Sequence, residues 1–119
     1  MNQTKYVSSE NRKTAYVCSK KDLIANSGIC VLFGDAQIAL FYLPAENPSI
    51  YGISNWDPIG KANVLSRGIV GDLGDELVVA SPLYKQHFSL INGKCLEQKE
   101  LAVRTFELVL DGEDVLLLC

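Results

Sequence analysis

Apolar residues along this chain come in short bursts with no helical stripe. The bursts are AYVC (15–18), ICVLF (29–33), QIALFYL (37–43), IYGIS (50–54), ELVVA (76–80), FSLI (88–91), VRTFELVL (103–110) and VLLLC (115–119). All are rich in Val, Ile, Leu, Phe and Tyr, and their shortness suits pleated strands better than helices. Between them stand Gly34-Asp35, the stretch from Pro44 to Pro48, Gly74-Asp75, Asn92-Gly93 and Asp111-Gly112. Such residues supply a positive φ or a side-chain hydrogen bond at a turn. The pattern predicts an all-β fold, a small antiparallel β-sandwich or barrel. Only SKKDLIANSG (19–28) offers a helical turn, with Ser19 as cap and Gly28 as stop.

Two segments break the pattern. Residues 55–75, NWDPIGKANVLSRGIVGDLGD, show no clear period, and a loop this long inside a compact domain usually serves function. The second is 81–87, SPLYKQH, lodged between two strand-like bursts. Residues 1–13 have nothing that forms an apolar face and read as a flexible tail, which leaves 14–119 as the domain.

Composition narrows the classes. A chain of 119 residues fits one domain, since two separate cores of half that size would be marginal. The net charge of −3 and the scatter of the eleven basic residues argue against nucleic acid as the partner. No apolar run reaches the length of a signal peptide or of the roughly 18 residues that span a bilayer, so neither membrane nor export is indicated and a cytoplasmic location is expected. The four cysteines, Cys18, Cys30, Cys95 and Cys119, form no C-x-x-C pair, and a reducing compartment disfavours disulfides. Cys18 and Cys30 read as buried strand thiols, and Cys119 as exposed and oxidisable.

The stretch ASPLYKQHF (80–88) has the frame of a metal-binding loop: an anchor followed by proline, a second anchor three residues on, then a phenylalanine that restarts a strand. The order of strand, N-x-D loop, strand, S-P-x-Y loop, FSLING and terminal hairpin resembles the Rieske iron–sulfur domain. That family carries C-x-H in its first loop and C-P-x-H in its second. The resemblance puts Asn55 and Asp57 at the first pair of ligand positions and Ser81 and Tyr84 at the second, while Pro82, Phe88 and Gly93 keep their places. A Rieske centre needs two thiolates on one iron and two imidazoles on the other. An amide, a hydroxyl, a phenol and one carboxylate do not replace them. No metal and no cofactor is therefore expected in this chain.

A narrower resemblance accounts for the missing ligands. NWDP, VLSRG and ASPLYKQHFSLINGKCL are similar to the small subunit of cytoplasmic NAD(P)H-dependent nitrite reductase, over roughly residues 15–118. That family keeps the Rieske-like fold without the cluster ligands. The resemblance implies a non-catalytic chain and a partner, the large subunit, which carries FAD, an iron–sulfur cluster and sirohaem and reduces nitrite to ammonium. Ile59 departs from the pattern, which has an aromatic residue after D-P.

Other constellations have plainer readings. GDLGD (71–75) reads as a hairpin turn because no helix follows to make a phosphate loop. Asp111, Glu113 and Asp114 lack the spacing of a calcium loop and read as a solvated turn. His87 has no nucleophile or carboxylate beside it in sequence, which favours a packing or surface role over general-base work. Trp56, Arg67, Leu83, Tyr84 and Lys85 combine aromatic, apolar and basic character on irregular segments, the make-up of interface anchors. Trp56 equally suits a cap on the core, and for Arg67 an ion pair with Asp57 that staples the two loops is the better reading. The competing functions are a Rieske-type ferredoxin serving an oxygenase, which needs four soft ligands, and a free-standing binding module.

Overall fold

Alternation within one strand explains the architecture. In the run 37–43, Ile38 and Leu40 face one way and Ala39 and Phe41 the other, yet all four are buried. A strand apolar on both faces belongs in a middle layer. The computed structural model, which describes residues 8–9 and 12–118, bears this out.

The strands in chain order are β1 (Ser8–Ser9), β2 (Arg12–Ser19), β3 (Ser27–Phe33), β4 (Ala36–Tyr42) and β5 (Ile50–Ser54). Two short strands follow, β6 (Trp56–Asp57) and β7 (Ala62–Asn63), then β8 (Ile69–Leu73), β9 (Glu76–Ala80) and β10 (His87–Ser89). The chain closes with β11 (Thr105–Phe106), β12 (Leu108–Asp111) and β13 (Asp114–Leu118). Every pairing between strands is antiparallel. The central sheet runs β11-β5-β4-β3, a second runs β1-β2-β13-β12, and a third runs β10-β9-β8.

Each face of the central sheet has its own core. Ile38, Leu40, Ile50 and Val31 meet Cys18, Leu108, Val115 and Leu117 of the terminal sheet. Ala39, Phe41, Tyr51 and Ile53 meet Val79, Phe88, Leu65, Leu90, Cys95 and Val103 on the other side. Gly52 lies on the first of these faces, where a Cβ would come within 2.6 Å of Leu108 Cδ1. The all-β expectation therefore holds, in a three-layer form.

Several details differ from the sequence reading. The segment 55–75 is not one loop, because Ile69–Leu73 pairs with Glu76–Ala80 across the Gly74 turn, where φ is +63°. That strand escapes a periodicity search because every residue but Val70 is exposed and Gly71 interrupts it. The run 103–110 is two strands, one on the central sheet and one on the terminal sheet. Ser19 does cap a 3-10 turn, Lys20–Asp22, with its hydroxyl accepting from Lys21 N and Asp22 reaching back to Ser19 N. The turn ends at Leu23, and Gly28 lies inside β3, where Phe41 and Ser66 O leave no room for a Cβ. Cys18 is buried, but Cys30 is exposed. Most of the expected tail, and Cys119, lie outside the described residues, although Ser8–Ser9 and Arg12–Lys13 are paired as strand.

Candidate functional site: the two loops at the end of the β8–β10 sheet

The strand alternation of residues 55–57 sorts side chains inward and outward. Asn55 and Asp57 are 2% and 0% exposed, while Trp56 between them is 44% exposed. Buried polar side chains need partners, and both have them. Asn55 Oδ1 accepts from Ser66 N at 2.7 Å, and its Nδ2 donates to Gln37 Oε1 at 3.1 Å and to Cys30 Sγ at 3.6 Å. One amide thus ties β3 and β4 to the 3-10 turn Leu65–Arg67. Cys30 Sγ in turn donates to Gln37 Oε1 at 3.6 Å, and this partial burial raises the thiol pKa, although the residue as a whole is exposed.

Asp57 organises the first loop around itself. Its Oδ1 accepts from Ile59 N at 2.8 Å and Gly60 N at 3.0 Å, the pattern by which an aspartate side chain closes a turn. Ile59 packs partly buried against the second core cluster, so the aliphatic departure noted above is used as core. The other carboxylate oxygen accepts from Ser81 Oγ at 2.5 Å, across to the second loop. Ser81 is 1% exposed and takes a further, longer bond from Leu83 N at 3.3 Å. Its backbone closes the second loop, with Ser81 N donating to Gln86 O and Lys85 N donating to Ser81 O.

The loops also touch through their apolar surface. A Cβ on Gly60 would collide with Leu83, whose side chain lies against that glycine. Leu83, Tyr84 and Lys85 are otherwise exposed, Tyr84 by 65%. Lys61 and Lys85 adopt left-handed backbone, with φ of +58° and +64°.

The residues nominated from sequence separate into two groups. Asp57 and Ser81 are joined by a buried hydrogen bond, Asn55 is buried on separate partners in Gln37, Cys30 and Ser66, and Tyr84 is exposed. Arg67 is exposed and forms no pair with Asp57, whose partner across the loops is the Ser81 hydroxyl. Trp56 is one of the exposed large hydrophobic side chains. It lines a shallow hollow with Asp35, Asn63, Arg104 and Phe106, where the Arg104 guanidinium lies 4.5 Å from the Phe106 ring centroid.

His87 does have a carboxylate partner. Glu97 Oε2 lies 2.6 Å from its Nδ1, and Glu97 Oε1 accepts from His87 N at 2.8 Å. Burial tends to raise the Glu97 pKa, but the hydrogen bonds from His87 outweigh it and the net shift is downward. Ten residues separate the pair in sequence, which is why no local pattern announces it. Gln37, Gly60 and Glu97 likewise escaped sequence reasoning.

The donor set does not fit an iron–sulfur cluster. Asp57 and Ser81 are engaged with each other and with backbone N–H groups, Asn55 with Gln37, Cys30 and Ser66 N, and Tyr84 is turned to solvent. Among the described residues no group of three or more His, Cys, Asp or Glu side chains is placed to hold a metal ion. No helix there is long and apolar enough to cross a membrane.

Comparison with known proteins agrees with this geometry. The profile of the Rieske-like [2Fe-2S] domain family matches residues 14–117. The nitrite reductase (NADH) small subunit of Escherichia coli K12 is 41% identical over 91 residues, covering 76% of this chain and 83% of that one. The solution structure of the nitrite reductase [NAD(P)H] small subunit from Erwinia carotovora superposes with a TM-score of 0.72 at 40% identity, over 87% of this chain and 79% of that one. A nitrite reductase [NAD(P)H] large subunit from Klebsiella oxytoca is 37% identical over 99 residues, which is 83% of this chain and only 10% of that one. A domain of this type thus also occurs as a small part of a much longer reductase chain. A Rieske-like family match over residues 14–117 and small-subunit relatives at about 40% identity over most of the chain place it in the family of nitrite reductase small subunits.

Proposed function

We propose that this chain is a non-catalytic, iron-free subunit of an NAD(P)H-dependent nitrite reductase that works in the cytoplasm. It binds the large subunit, and the chemistry belongs to that partner, where FAD, an iron–sulfur cluster and sirohaem reduce nitrite to ammonium. The observation that carries this reading is the Asp57–Ser81 hydrogen bond, which joins two former ligand positions directly. The loops keep their shape without a metal, and their outer surface of Trp56, Leu83, Tyr84 and Lys85, with Arg67 nearby, is free to meet another protein. The ferredoxin alternative requires two thiolates and two imidazoles at the positions of Asn55, Asp57, Ser81 and Tyr84.

The test is assembly with the large subunit. Mixing the two purified chains should give a stable complex, and the small subunit should remain colourless and iron-free after anaerobic incubation with iron and sulfide. A visible absorption band with stoichiometric iron would sink the proposal and restore the ferredoxin reading.

A further inference from the structure

Charge at the loop end is opposite to that of the whole molecule. The chain carries a net charge of −3, yet residues 55–67 and 81–87 hold Lys61, Arg67 and Lys85 against a single acid, Asp57. Asp57 is fully buried and hydrogen-bonded, so it presents no charge to a partner. His87, the other basic residue there, is held by Glu97. Lys61, Arg67 and Lys85 are exposed and form no ion pair among the described residues. The acids of the neighbouring hairpin lie away from this end. Asp72, Asp75 and Glu76 cluster at the Gly74 turn, and β8 and β9 then run the length of the hairpin to reach Ile69 and Ala80 beside the loops. At about 3.3 Å per residue, that puts Asp72 and Glu76 roughly 10–13 Å from the loop end.

Backbone conformation supplies a second, independent observation. Three non-glycine residues have positive φ, namely Asn26, Lys61 and Lys85. Asparagine tolerates that region because its short side chain bonds locally, whereas lysine gains nothing of the kind. Glycine would hold both turns with less strain. Each loop thus reaches its tip through a lysine in an unfavourable conformation, and such strain concentrates where a side chain serves function. The two lysines are also tied together, since Lys61 follows Gly60, Gly60 packs on Leu83, and Lys85 stands two residues beyond Leu83.

We infer that Lys61 and Lys85, with Arg67, form a cationic rim around Leu83 and Tyr84, and that the surface it meets is an acidic patch on the large subunit. The inference rests on the loops being the partner surface. The rim steers encounter and sets orientation, while the apolar tip supplies the contact that excludes water.

Association of the full-length chain with the purified large subunit, followed by surface plasmon resonance across a salt series, tests this. The association rate should fall by about tenfold or more as salt rises from about 0.05 M to about 0.5 M. The Lys61→Glu, Lys85→Glu double variant should lose a similar factor at low salt and show a flattened salt response. Lys61→Gly with Lys85→Gly should also bind more slowly while its unfolding midpoint stays level or rises, which separates lost charge from lost fold. Lys94→Glu with Lys99→Glu, an equal charge change beside Glu76, should leave association unaltered. If Tyr84→Ala weakens assembly but neither salt nor the lysine variants do, the loops are the interface and the charge inference is overturned. If none of these changes matters, the interface reading falls as well. Comparable capture of duplex DNA by the same rim would overturn the assignment to a protein partner.

Discussion

Asn55 and Asp57 point inward, Trp56 between them points outward, and Ser81 repeats the inward choice just before Pro82–Lys85 repeat the outward one. Inner and outer layers of the same two loops are thus built on different chemistry. The inner layer is polar, saturated and almost without exposure. Every oxygen of Asp57 has a donor, and the clasp holds two segments that would otherwise carry orphaned backbone groups. The outer layer is aromatic, apolar and basic, and the fold leaves it uncovered. One layer maintains shape, and the other is available for recognition.

Breaking the inner layer should have the largest effect. Asp57→Ala strips three donors of their acceptor inside the protein, and should lower stability by about 3–5 kcal/mol in urea unfolding. Trp56→Ala should lower it by less than about 1 kcal/mol, because that side chain is half exposed. A reversal of this order would mean that the two layers have been assigned the wrong way round.

The outer layer should respond in the opposite manner. Tyr84→Ala and Trp56→Ala should each weaken assembly with the large subunit by about 2 kcal/mol, roughly thirtyfold in affinity, in folded protein. Titration calorimetry of variants with unchanged unfolding midpoints measures this. Undiminished binding by both would move the contact to a sheet face.

A smaller effect sharpens the boundary between the layers. His87 and Glu97 form a half-exposed clasp at the base of the second loop. Folding lowers the Glu97 pKa, so its contribution is fully present above the ordinary value of 4.5 and is lost as pH falls through the lower folded value. Exposure and screening keep it below about 1 kcal/mol. Wild type should therefore lose slightly more stability than Glu97→Gln as pH drops below 4.5, and parallel acid-unfolding curves would show that the clasp contributes nothing.

Much of this protein was decided locally. Turn chemistry and short β-branched runs placed β3, β4, β5 and β9 within a residue or two, because period-2 patterning and left-handed glycines act over a few neighbours. The identity of the side chains at 55, 57, 81 and 84 was enough to exclude soft-metal ligation, since donor chemistry does not depend on geometry. Only tertiary structure decided how those positions are satisfied. The sequence suggested Arg67 as the partner for Asp57, and the place fell instead to the Ser81 hydroxyl because the β8–β10 sheet brings Ser81 against the carboxylate, 24 residues away in sequence. The pairing of β8, the exposure of Cys30 and the His87–Glu97 clasp were settled in the same way, by contacts between segments whose separation along the chain leaves no local trace.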